Sequence, residues 1–143
     1  KSIMLVMGHY GNWEWAGNTF SLLCKHQLYV IYHPLSNKYF DGLMYKMRTR
    51  FGTKLIAMQD TFKIMVANRN EINATAFIAD QTPQPDNAYW TTFLNQDTPV
   101  FWGTEKIARK INYPNCIYLC SESEAWFLYV TCRIIRAESC LNN

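Results

Sequence analysis

Two proton-transfer side chains, His9 and Glu14, stand close together in the stretch VMGHYGNWEWAG, Val6 to Gly17. A carboxylate on one imidazole nitrogen fixes the tautomer and leaves the other nitrogen as a base. Within one continuous helix, this spacing would turn the two side chains about 140° apart, so they could not share a face. The flanking glycines offer a way round this. Gly8 and Gly11 can adopt backbone angles that other residues resist. His9 is therefore expected in a turn, with Glu14 in the first helical turn behind it, pointing back at the imidazole. The unpaired amides of that helix start offer a weak anion site.

Other chemistries fit less well. A metal centre needs a third ligand, and His26, His33 and Asp80 have no ligand-like spacing to His9; HExxH is absent. The GxSxG of a serine hydrolase and the GxGxxG of a dinucleotide fold are also absent.

The elements that must hold His9 follow from periodicity. The run Ile3-Met4-Leu5-Val6-Met7 reads as a buried strand that stops at Gly8. Asn12 is a candidate N-cap for a helix from Trp13 to about Lys25. Tyr29 to Tyr32 is a second strand, ended by Pro34. A helix follows from Ser36 or Asn37 to about Phe51, stopped by Gly52. Lys54 to Met58 is a third strand, Asp60 caps a helix to about Asn68, and Ala74 to Ala79 is a fourth strand. This alternation predicts an α/β fold with a largely parallel central sheet flanked by helices. Functional groups in such sheets gather at the carboxyl ends of the strands, where His9 falls. Beyond Asp80 the pattern changes. A polar loop with Pro83 and Pro85 leads to a hairpin, Tyr89 to Leu94 and Val100 to Trp102, turning at Asn95-Gln96-Asp97. Thr104 then caps a short basic helix, Glu105 to Ile111. Asn115 to Cys120 and Phe127 to Arg133 read as the last strands.

Composition sets limits. With 143 residues, 49% of them hydrophobic, the chain can bury a core and is read as one domain, 1–143. A net charge of +3 is too mild to indicate nucleic acid. The five cysteines are odd in number and lack a CxxC pair, and they are expected to be reduced, mostly in the core. No apolar run approaches the ~18–20 residues of a membrane span. Because it begins without an initiator Met, the chain is expected to be a piece of a longer protein.

GHYGNWEWAG resembles the H-x-x-x-x-[DE] motif of glycerolipid and lysophospholipid acyltransferases. More narrowly, the chain resembles the late acyltransferases of lipid A biosynthesis (lauroyl/myristoyl type), in the form carried by Bacteroidetes-type bacteria. Further segments agree in order. IYHPLSNKYFDGLMYKMRTRFG is similar to a Y-R-P segment followed by a helix ending in R-x-R. FIADQTP resembles a strand-end aspartate loop, and FWGTEKIARK an F-x-G-T helix start. His33 departs from the pattern by standing where many members carry Arg. The acidic turn with Glu122 and Glu124 also departs, because the family runs there into a basic, glycine-containing turn. The chain is expected to be a fragment without the family's amino-terminal membrane anchor and part of its carboxyl terminus.

The resemblance implies a glycerolipid acyltransferase-like catalytic domain at the cytoplasmic face of the inner membrane. It would move a fatty acyl chain from acyl carrier protein to a hydroxyl of a phosphorylated lipid A precursor, without metal or cofactor. His9 would be the general base and Glu14 its orienting carboxylate. Arg48 or Arg50 would hold the acceptor phosphate or the oxyanion; only one of them can face the site, since on a helix they diverge by about 200°. Asn12, Asp80 and Gln81 would lie at the rim, and Gly103 and Thr104 would supply donors at a helix start. The basic residues Lys106, Arg109 and Lys110 would form a solvated face or touch the carrier protein or lipid phosphates. Trp90, Phe93, Phe101 and Trp102 would pack as core, line an acyl groove or dip into the membrane interface. Two alternatives stand beside this: a catalytically silent lipid- or carrier-binding domain, and a thioester hydrolase.

Overall fold

The computed structural model describes residues 1–122 and 128–135, with side chains through Ile117. The order of elements is β1 (Ile3–Met7), α1 (Trp13–Leu23), β2 (Gln27–Tyr32), α2 (Lys38–Thr49), β3 (Lys54–Ala57), α3 (Thr61–Ala67), β4 (Asn73–Ile78), β5 (Ala88–Phe93), β6 (Gln96–Phe101), α4 (Gly103–Ile111), β7 (Asn115–Glu122) and β8 (Leu128–Ile135). The main sheet has the order β3-β2-β4-β1-β7-β8, and β5-β6 form a separate two-stranded sheet. Every pairing in the main sheet is parallel except β7 with β8. The fold is α/β with a mostly parallel sheet between helices, as the alternation of elements predicts.

β1 and β4 are central and covered on both faces: β1 is a continuous apolar run, and β4 is buried from Asn73 to Phe77. On one face Leu5, Leu28, Ala74 and Ala76 pack with Ala16 and Phe20 of α1. On the other, Met4 and Phe77 pack with Met65 of α3 and Ala108 of α4. Full burial of side chains of this size contributes about 1.5–3 kcal/mol each for the larger ones.

Chain direction explains where a crevice opens. From β1 the chain crosses by α1 to β2, on one face; from β4 it returns through the hairpin and α4 to β7, on the other. Adjacent strands whose helices leave to opposite faces define a switch point at their carboxyl ends.

Several local expectations are corrected. The hairpin turns at Leu94-Asn95 rather than at Asn95-Gln96-Asp97, because the register pairs Phe93 with Gln96. Thr104 is not the cap of α4: the helix begins at Gly103, with Trp102 at the N-cap position and no side-chain cap. Cys116 is buried and disulfide-bonded, with its partner outside the side chains described, and Cys24 is free but exposed. The turn containing Glu124 lies outside the described residues.

Candidate functional site

β1 and β4 run parallel with Met7 opposite Ile78. Each chain continues in step past its strand, and the Ala79 amide donates to the Met7 carbonyl at 3.0 Å. That step brings His9 level with Asp80. The His9 backbone N–H donates to Asp80 Oδ2 at 2.7 Å, and His9 Nδ1 meets Asp80 Oδ1 at 2.7 Å. Gly8 makes room for this. A Cβ on Gly8 would lie 3.0 Å from Asp80 Oδ2, tighter than nine in ten real contacts, so the carboxylate would have to give way. Gly11, at φ +58, turns the chain back into α1.

Partial burial pushes the Asp80 carboxyl up. The His9 amide, the His9 ring, its own amide and the imidazole charge together outweigh that and hold it below its ordinary 3.8. Asp80 is therefore a carboxylate at neutral pH and can only accept. In the neutral ring Nδ1 must then carry the proton, and Nε2 keeps its lone pair, as a general base requires.

Glu14 is placed differently from the sequence expectation. It sits in the first turn of α1 and faces α2, not the imidazole. Arg48 donates to it from Nε at 3.2 and 3.0 Å and from Nη2 to Oε1. A planar, permanently charged guanidinium matches a carboxylate at two points, which a single imidazole nitrogen does not. Trp13 fills the space between the two pairs. Its ring meets the His9 ring edge-on, with centroids 4.8 Å apart at 79°, and the Arg48 guanidinium lies 5.5 Å from its centroid.

The other expected site residues separate into groups. Asn12 is exposed and stands at the N-cap of α1 without a side-chain cap bond; its carbonyl accepts from the amides of Trp15 and Ala16. Arg50 turns away from the crevice and lies over Phe51, so of the R-x-R pair only Arg48 reaches the site region. Arg48 has Nε and Nη2 committed to Glu14, which fits positioning better than capture of a phosphate. Gln81 follows Asp80 and is exposed. Gly103 and Thr104 open α4, where the chain leaves the carboxyl edge; among the described residues no hydrogen bond joins them to His9 or Asp80.

Beside the crevice, between α1, α2 and the sheet, lies a small, mostly apolar cleft. Its walls include Met7, Val30, Ile78, Trp13 and Gly17, with Glu14 and Arg48 also lining it. The aromatics Trp90, Phe93, Phe101 and Trp102 do not line it.

Sequence reasoning left Asp80 at the rim and missed Trp13 as a shared wall. A signal for Asp80 was present. MGH and IAD each place a chemistry-bearing residue two positions past an apolar strand, and adjacent parallel strands bring such residues together.

Fold and site together describe an α/β enzyme whose imidazole–carboxylate pair opens beside an apolar cleft. The family model of bacterial lipid A biosynthesis acyltransferases matches residues 1–120, and the chain belongs to that family. It is thus an acyltransferase of lipopolysaccharide formation, with an acyl donor and a lipid A-type acceptor. Among curated proteins, none matches the chain.

Proposed function

We propose that the protein moves a fatty acyl group from the thioester of acyl carrier protein to a hydroxyl of a phosphorylated lipid A precursor, at the cytoplasmic face of the inner membrane. His9 Nε2 takes the proton of the acceptor hydroxyl as its oxygen attacks the thioester carbonyl. The tetrahedral intermediate collapses, the carbon–sulfur bond breaks, and the departing sulfur takes the proton back from His9 Nε2, which restores the neutral imidazole. The products are an ester and a free thiol. Asp80 keeps His9 in the productive tautomer and stabilises the imidazolium that forms transiently. Glu14 and Arg48 fix each other and the Trp13 wall, so they shape the cleft rather than transfer protons. The apolar cleft suits the donor's acyl chain. The observation that carries this reading is the double contact between His9 and Asp80 beside that cleft.

The test is acyl release from acylated carrier protein, with and without a lipid A precursor, for the native protein and His9→Ala. Release that needs both the acceptor and His9 is expected. Release without acceptor would mean hydrolysis, and no release at all would mean a binding domain; either would overturn the proposal.

A further inference from the structure

The β5–β6 hairpin packs little of its surface away. Its register puts Tyr89 opposite Val100, Thr91 opposite Thr98 and Phe93 opposite Gln96 on one face. No charged residue is among them. Asp97 pairs with Thr92 on the opposite face. The alternation continues into Trp102, whose ring lies 5.6 Å from that of Tyr89. Lys106 of α4 in turn holds its ammonium 3.5 Å from the Trp102 ring centroid. One turn on, Lys110 lies over Phe62 of α3. Glu105 is paired with Arg109 at 2.8 Å, and Asp86 lies in the short turn before β5. A neutral aromatic face therefore runs without a break into lysines.

The tip is unusual. Leu94 and Asn95 both have positive φ, +50° and +62°. Such two-residue turns favour Asn and Gly. Asn95 fits, but a leucine there is strained by about 1–2 kcal/mol. It gains no packing in return: Leu94 is 78% exposed and Phe93 beside it 61%. A strained, exposed apolar tip calls for a contact made outside the chain.

The geometry points to this hairpin, with Trp102 and Lys106, as the wedge that seats the protein on an anionic bilayer. Aromatic rings and lysines together favour the interface between headgroups and acyl chains, and an anionic surface attracts lysine by about 1 kcal/mol per residue. An acidic protein partner would use the lysines but leave the leucine tip unexplained. The hairpin leaves β4 just past Asp80 and returns to α4, so both its ends are tied to the edge that carries the site. Seated there, the protein would meet its acceptor without drawing it far from the bilayer. This inference rests on the lipid acceptor of the proposed function.

Cosedimentation of the chain with vesicles tests it. One set is phosphatidylcholine alone; the other mixes it with an equal part of phosphatidylglycerol. Binding to the mixed vesicles is expected, and it should weaken with salt. Leu94→Asn suits the turn, so the variant should fold at least as well. Combined with Phe93→Ser it should weaken vesicle binding about tenfold. Lys106→Gln should weaken binding about fivefold on mixed vesicles and leave phosphatidylcholine unaffected. Acyl transfer in detergent micelles should survive all three substitutions, which separates this inference from the catalytic one. Unchanged vesicle binding by the Phe93–Leu94 variant would overturn it. So would a loss confined to binding of acyl carrier protein.

Discussion

The two charge pairs on either side of Trp13 are built for different work. His9–Asp80 is the more open, with side chains 34% and 43% exposed, and it sets an imidazole against a carboxylate. Glu14–Arg48 is more enclosed, at 24% and 22%, and sets a carboxylate against a planar guanidinium. A proton carrier needs access to substrate and a partner that fixes its tautomer. A brace needs enclosure and permanent charge. The spacing H-x-x-x-x-E suggests one pair, whereas the structure sets His9 against Asp80 and Arg48 against Glu14.

The largest effect should come from His9→Ala, which removes the base. Acyl transfer should fall about 10³-fold in kcat, measured with acylated carrier protein and a lipid A precursor, while affinity for the acceptor changes little. Gly8→Ala should come next. Its Cβ would press on Asp80 Oδ2, so kcat should fall about tenfold or more with a modest loss of stability. The second pair should answer in stability instead. Glu14→Gln leaves a half-enclosed guanidinium without its carboxylate and should cost about 1–3 kcal/mol in urea unfolding. The double variant with Arg48→Met should recover part of that loss, giving a coupling energy of about 1 kcal/mol or more. The smallest effect is in pH. The Asp80 carboxyl is held below its ordinary 3.8, so its contribution to stability is present above that value and fades as pH falls through the lower folded-state value. Unfolding curves of native protein and Asp80→Asn should differ by a constant amount above about pH 4 and converge below it.

Much of the architecture could be read from the sequence, because strand and helix periods alternate cleanly up to Asp80. The glycines around His9 also marked the carboxyl end of β1. The pairing of the carboxylates could not be read from spacing. His9–Asp80 depends on β4 lying beside β1 in step, and Glu14–Arg48 depends on α2 crossing α1; both are set by tertiary packing. The hairpin turn was misplaced for a related reason. Asn95-Gln96-Asp97 has the polar composition of a turn, but cross-strand register puts Leu94 at the tip, against its backbone preference.

The central claim is that Asp80, not Glu14, orients the catalytic imidazole. The most direct test is the kcat of Asp80→Asn beside that of Glu14→Gln, at saturating donor and acceptor. Asp80→Asn should lose about 10³-fold or more by analogy with tautomer-fixing carboxylates. Glu14→Gln should stay within about tenfold of the native rate once folded. A collapse of kcat in Glu14→Gln with a near-native rate in Asp80→Asn would contradict the account.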